Sequence, residues 1–481
     1  MFFNVSFNNK KPIYEQVYNK LKEMIEEGLL PPESKLPSTR ELALMMKVSR
    51  STILTAYEML ENDEFVYTLQ GKGTFVSKIK VAINDSWNIS WNEKINDYGR
   101  AANKLDIMKN ELMYEKDVIS FRSIAPDERL FDVEEIKRAF LNVISLNGNR
   151  ILNYGYARGY LPLINYIYNY MQRKGVNTNN KGIIITNGFT EGFDMVLSAI
   201  TSEGDTILCE NPTHNTAIKL MKLNNLNIIG LDIEKDGVSR TKLKHILQNN
   251  KVKVAYLTPS YHNPTGLVMS HKDRKIIYNL FKEYNVPIIE DGFNEELQHL
   301  STHIAPVAAI CGKENGVIYI GSLSKILFPG IRIGWILADN ALIDILESVK
   351  RSRNIHTSTL DQAILHEYLK SGSFERYTKK VRNIYKDKSE RVKELIDKYI
   401  SYDSIYECGG LYVFIKLKDI NSRDLLDRCY KRGVIFTPGD IFYIDNDRKH
   451  TLRLGFSRLS MEEIEKGIKI IGDEILKIKN K

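Results

Sequence analysis

The sequence predicts a multidomain chain: a small helical head closed by a β-hairpin, then a large α/β domain on an open, mostly parallel sheet. Three observations carry that reading. The chain has 481 residues, more than one compact core holds, so two or three domains are expected. Between residues 38 and 62, two short helix patterns are separated by a two-residue turn, and a Gly-Lys-Gly hairpin follows. From about Asp117, apolar strand-like runs ending in polar residues alternate with helical patterns.

In PIYEQVYNKLKEMIEEG, Ile13, Val17, Leu21, Met24 and Ile25 recur at helical spacing, and Gly28 is placed to stop the helix. Ser38 and Glu41 form a capping box, which starts a second helix at Thr39 that runs to about Lys47. Val48 and Ser49 make the turn, and Ser49 caps a third helix from Arg50 to about Asn62. FVYTLQGKGTFVS then reads as two β runs around Gly71-Lys72-Gly73, a wing.

Residues 1–80 carry eleven Lys/Arg against ten Asp/Glu, so any nucleic-acid footprint there has to be local. Arg50, Ser51 and Thr52 fall in the first turn of the third helix, where a recognition helix presents side chains to bases and phosphates. Arg40 on the preceding helix, with Lys72 and Gly73 in the wing, completes the candidate DNA-binding set. A small protein-binding helical module has the same spacing, so spacing alone leaves both readings open.

Composition bounds the class. The chain is 43% hydrophobic and 27% charged, with a mild net charge of +8, as in ordinary globular proteins. Cys209, Cys311, Cys408 and Cys429 are scattered without a C-x-x-C pair, which argues against a zinc site or a disulfide framework, and no metal is expected. No basic leader precedes an apolar block, and no apolar run approaches the ~20 residues of a membrane helix. A soluble cytoplasmic protein with no membrane partner is expected. Residues 78–115 read as a linker, in which Trp87 and Trp91, four apart, point to docking on a surface; a floppy tether is the alternative.

In an open parallel sheet, ligands sit at the carboxyl ends of strands, so the polar ends of these runs should converge on one cleft. Lys325, just past VIYIGS, is a primary amine able to form a Schiff base with an aldehyde if burial lowers its pKa. Asp291 closes an apolar run and could hold a pyridinium nitrogen protonated. Asn263 could donate to a phenolate oxygen. Ser322, Ser324 and Arg332 could bind a phosphate, with backbone N–H groups of Gly188 to Thr190, including Phe189, at a helix start. His214 has a flat ring able to stack on a cofactor. Singly, each has a plainer reading: an exposed lysine, a turn-capping aspartate, a surface arginine, a loop histidine. The inventory taken together suits pyridoxal phosphate.

Resemblance sharpens this. PIYEQV, LPSTRELA, VSRSTILTAYEML and GKGTFV resemble, in unbroken order over residues 10–77, the winged-helix domain of GntR-type bacterial regulators, departing at Asp63-Glu64, where that family often has a glycine. YGYARGYLPL, ITNGFTEG, ENPTH, HNPTG, IIEDGF, GSLSK with Arg332, and LRLGFS resemble the ordered motifs of fold type I aminotransferases. This implies an aminotransferase-like domain over residues 116–481, with a smaller C-terminal α+β subdomain. It further implies that Lys325 forms the internal aldimine with pyridoxal 5'-phosphate, Asp291 faces the pyridine nitrogen, and Asn263 contacts the ring hydroxyl. Ser322, Ser324 and Arg332 would hold the phosphate, Arg453 an α-carboxylate, and Tyr154 the phosphate of a partner subunit's site. Two places depart from the family: Phe293 and His214 stand where tyrosines are common.

The fusion resembles the MocR/GabR branch of bacterial transcription regulators. That implies a head-to-tail homodimer binding an operator in double-stranded DNA and sensing an amino compound by aldimine exchange at Lys325. An active aminotransferase with an accessory DNA-binding domain is the rival expectation.

Overall fold

The computed structural model describes residues 7, 11–78, 89–106, 118–234, 237–292, 295–297, 304–406, 410–445 and 448–480. The chain divides into two compact units, Met1–Ile95 and Asn96–Lys481.

The first unit holds α1 (Ile13–Glu26), α2 (Thr39–Met46), α3 (Arg50–Asn62) and a hairpin of β1 (Val66–Leu69) and β2 (Gly73–Val76). Its core gathers the periodic residues of α1, Val17, Leu21, Met24 and Ile25, with Ile53, Ala56 and Leu60 of α3. The capping box forms as the sequence predicts: the Glu41 N–H donates to Ser38 Oγ at 3.2 Å, and the Ser38 N–H donates to the Glu41 carboxylate at 2.8 Å. α2 ends on Lys47 in the left-handed region, and Ser49 caps α3 by accepting from the Thr52 N–H at 3.1 Å. In the wing, Gly73 has φ +116°, a backbone conformation that favours glycine; a Cβ there would meet only the movable end of the Lys35 side chain, Cε at 2.7 Å.

The Asp63-Glu64 departure has a local meaning. Asp63 accepts a hydrogen bond from the Tyr18 hydroxyl, and Glu64 is forced to φ +60°. Non-glycine residues in that region are strained by about 1–2 kcal/mol, partly offset for glycine by unfolded-state entropy. Glu64→Gly is therefore expected to stabilise the head by roughly 0.5–1 kcal/mol, read as slower amide exchange in α3 and the wing of the full chain.

Trp91 opens a short helix, Trp91–Lys94, and is 68% exposed in this single chain, while Trp87 lies outside the described residues.

The second unit begins with β3 (Ile119–Ser120) and centres on an eight-stranded sheet. Its strands are β4 (Lys181–Thr186), β5 (Thr206–Asn211), β6 (Asn227–Glu234), β7 (Gly237–Val238), β8 (Val252–Leu257), β9 (Ile288–Gly292), β10 (Val317–Ser322) and β11 (Gly334–Asp339). The order is β4-β11-β10-β9-β8-β5-β6-β7. β10, β9, β8, β5 and β6 run parallel; β11 runs antiparallel to both β10 and β4, and β7 turns back on β6. Each face has its own apolar layer. Leu208, Ala255, Leu257 and Ile288 lie on one face; Ile207, Val254, Tyr256, Ile289 and Ile320 lie on the other, beneath the helix Phe189–Ile200. Such two-sided burial is what parallel strands covered by crossover helices require.

The smaller C-terminal part follows. β12 (Tyr402–Tyr406), β13 (Tyr412–Leu417), β15 (Thr437–Pro438) and β16 (Thr451–Gly455) form an antiparallel sheet, while β14 (Val434–Ile435) pairs with β3. The sheet packs into one core with the helices Ser373–Tyr399 and Met461–Lys479. Between residues 140 and 161 the unit exposes Phe140, Leu141, Leu146, Leu152, Tyr154, Tyr156 and Leu161. Among the described residues, no helix is long and apolar enough to cross a membrane.

Candidate functional site

The carboxyl ends of β5, β8, β9 and β10 bring the candidate residues to one edge of the sheet. β10 ends at Ser322, and the chain turns at once, with the N–H groups of Ile326 and Leu327 bonded back to Leu323 O at 3.0 and 2.8 Å. Leu323, Ile326 and Leu327 are buried and anchor that turn, so the half-buried Lys325 projects from a fixed backbone. Burial, with the charges of Arg453, Arg332 and Arg458, lowers its pKa to about 8. The lysine is thus a far better nucleophile near neutrality than a surface one.

Asp291 lies on β9, on the same sheet face as Ile289, and is 6% exposed. Burial raises its pKa to about 8, against the opposing effect of a hydrogen bond from Tyr256. That bond runs from the Tyr256 hydroxyl to Asp291 Oδ2 at 3.0 Å. Asn263 is buried, and its Oδ1 accepts from Arg453 Nη1 at 2.7 Å, which leaves the amide NH2 of Asn263 as a donor. Arg453, on β16, is held over the rings of Phe442 and Tyr412 at 4.7 and 5.4 Å.

Gly188 opens the helix Phe189–Ile200 with φ +82°, and a Cβ there would come within 3.0 Å of Arg332 Nη2. Arg332 is itself left-handed, and its Nη2 donates to Asn187 O at 3.1 Å. Its guanidinium is thereby placed against the free N–H groups of a helix start, a combination suited to an anion. Ser324 Oγ is buried with no hydrogen-bond partner among the described residues, while Ser322 Oγ accepts from the Ser324 N–H at 3.3 Å. Thr190 is exposed in that first turn.

His214 precedes the helix Asn215–Leu223 at its N-cap position without a side-chain capping bond, its ring 5.5 Å from that of Phe189. Burial, then the charges of Lys325, Arg453 and His262, push it down to about 3, so it is a neutral ring. Tyr154 is 82% exposed, edge-on to His356, and faces outward rather than into this chain's own cleft. Phe293 lies outside the described residues. In the head, Arg50 Nε donates to Thr39 Oγ1 at 3.3 Å, while Ser51 Oγ lies 2.8 Å and Thr52 Oγ1 2.7 Å from Ser49 Oγ. Arg40, Arg50, Ser51, Thr52 and Lys72 lie on the surface of that unit, Thr52 partly covered.

Sequence reasoning passed over Tyr256 and Tyr412. Tyr412 donates to the carbonyls of Tyr261 and His262 at 2.8 and 3.2 Å, fixing the segment that ends in Asn263. The only sequence signal for Tyr256 is a phenol inside the apolar run VKVAYL, seven residues before Asn263.

The site asks for a particular ligand. It offers an anion cradle at Ser324 and Gly188–Thr190, a carboxyl with one oxygen left for an aromatic N–H, an amide donor and a reactive amine. Pyridoxal phosphate carries the matching phosphate, pyridine nitrogen, ring hydroxyl and aldehyde, so these residues fit it.

Comparison with known proteins agrees. Residues 117–471 match the family model for class I and II aminotransferases, and residues 13–76 match that for bacterial regulatory proteins of the gntR family. The chain is 28% identical to the uncharacterized HTH-type transcriptional regulator YdfD of Bacillus subtilis, over 96% of both chains. Among solved structures, the multiple substrate aminotransferase of Thermococcus profundus superposes with a TM-score of 0.75 at 28% identity, covering 82% of this chain and 100% of that one. LysN, the alpha-aminoadipate aminotransferase of Thermus thermophilus, complexed with N-(5'-phosphopyridoxyl)-L-leucine, gives 0.74 at 26% identity, covering 82% and 100%. With a match that spans most of its length, the chain belongs to the class I and II aminotransferase family, which is pyridoxal phosphate-dependent, and carries a gntR-family domain fused ahead of it.

Proposed function

We propose that this protein is a pyridoxal phosphate-dependent bacterial transcription regulator of the MocR type, working in the cytoplasm. Its winged helix reads operator DNA, and its large domain senses an amino compound at Lys325. The observation that carries the reading is the joining, in one chain, of a gntR-family head to a cleft that retains Lys325, Asp291, Asn263 and Arg453.

Bound pyridoxal phosphate supplies an aldehyde carbon that accepts one primary amine in exchange for another. The chain's own groups do the rest. Lys325, at a pKa of about 8, is available as free amine to take and release that carbon. Arg453, desolvated and held by Asn263, grips the α-carboxylate of the incoming amino compound. Ser322, Ser324, Arg332 and the N–H groups of Phe189 and Thr190 hold the phosphate. The neutral ring of His214 stacks on the cofactor. The exposed apolar residues between 140 and 161 are covered by a second copy in a head-to-tail homodimer, and Tyr154 reaches the partner's phosphate across that contact.

The likeness to solved aminotransferases favours a second reading, an active aminotransferase with an accessory head. The readings part after amine exchange. Phe293 and His214 stand where phenols are common, and neither carries a phenolic proton, so control of the later proton transfers is poorly supported. The expected result is that a cognate amine shifts the cofactor spectrum and moves operator affinity roughly 5–150-fold, with transamination slow or absent. Operator binding and keto-acid formation should be measured on the same preparation. Brisk turnover with no effect of any amino donor on DNA binding would give the case to the aminotransferase.

A further inference from the structure

We propose that Tyr256 is the positioning residue for Asp291: its hydroxyl fixes the carboxyl with one oxygen left for the cofactor nitrogen and favours its ionised, accepting form. The inference rests on the cofactor reading above and adds to it a residue from a different strand.

The geometry begins in the sheet register. Tyr256 on β8 lies opposite Ile289 on β9, and Asp291 is two residues further along the same face. A tyrosine side chain spans that diagonal, and the hydroxyl reaches Oδ2 at 3.0 Å. Oδ1 is left to accept a second donor. Packing alone explains the ring but not the hydroxyl: the ring sits 4.8 Å from Phe193 and 6.1 Å from Phe189, where a phenylalanine would serve equally well. The hydroxyl is wholly buried, so it needs a partner, and Asp291 is the acceptor it has. Thr258 Oγ1 donates to the same hydroxyl oxygen at 3.4 Å, which directs its proton toward Asp291.

The electrostatics show why a donor is needed. Burial most of all, and then the charges of Glu295, Glu210 and Glu290, favour the neutral form of Asp291. Tyr256 pulls the other way, and its own proton is held far above the usual phenol range by burial and by Asp291. It is therefore a permanent donor across the working pH range.

The test is a double-mutant cycle on full-length protein, reading pyridoxal phosphate affinity and the pH midpoint of the bound cofactor's visible band. Tyr256→Phe is expected to weaken cofactor binding about tenfold, the scale of a hydrogen bond to a charged group. It should also raise the midpoint by about one unit, because a less positive ring lets the cofactor's link to Lys325 hold its proton to higher pH. In an Asp291→Asn background the same change should add less than about twofold. A Tyr256→Phe protein with wild-type affinity and midpoint overturns the inference, and so do equal losses in both backgrounds, which would mean packing alone. Wild-type protein that binds no pyridoxal phosphate removes the cofactor reading and this inference together; the first two outcomes remove this inference alone.

Discussion

Lys325→Ala is expected to abolish borohydride-fixed cofactor completely. Wild-type protein should be yellow, and borohydride should bleach the band while leaving pyridoxal phosphate on the peptide that contains Lys325. The variant should still fold. Folded Lys325 titrates near 8, below its ordinary 10.5, so the native state binds fewer protons than the unfolded chain between those values. This group's contribution to stability therefore rises with pH through that window and is unfavourable below it, so removing it relieves the apoprotein near neutrality. The same value sets the rate of loading. At pH 7.5 roughly a quarter of Lys325 is free amine, against about a thousandth for an ordinary lysine. Cofactor capture should climb with pH to a plateau above about 8. Colourless wild-type protein after incubation with pyridoxal phosphate would refute the assignment of Lys325.

Arg50→Ala is expected to weaken operator binding by about 1–3 kcal/mol if the guanidinium makes a bidentate base contact, with relaxed specificity at that position. Removing Arg40 as well should abolish the mobility shift at physiological salt and reduce the slope of affinity against salt by about one for each phosphate no longer neutralised. The fold should tolerate both changes. The cap of α3 is the Ser49 hydroxyl, and Arg50 is an exposed residue whose Nε donates to Thr39 Oγ1 on the surface. Unchanged shifts in the double variant would place the reading surface elsewhere.

The head was almost wholly legible because its signals are local. A capping box, a helix turn and a Gly-Lys-Gly wing each act within a few residues, and each lies where spacing put it. The strand ends were legible for a related reason: polar residues closing apolar runs mark the ligand edge of a parallel sheet, as Asp291 and Ser322 do. Tyr256 was not, because every residue of β9 and nearly all of β8 is buried, so no alternation tells which face a side chain takes. Nor was the antiparallel course of β11 between β10 and β4, since VIYIGS and GWILAD are apolar alike whichever way they run. The Arg453–Asn263 bond joins residues 190 apart in sequence, and nothing local announces it.

That bond bears on selectivity. If Arg453 takes the carboxylate of an amino compound, as proposed, an arginine clamped by an amide oxygen and two aromatic rings has little rotameric freedom left to lose on binding, so part of the entropy of capture is settled during folding. Any α-amino acid profits equally from a preorganised clamp, since all carry the same carboxylate. Discrimination among them has to come from the walls that meet the rest of the molecule, and a search for the natural ligand should vary what lies beyond the α-carbon.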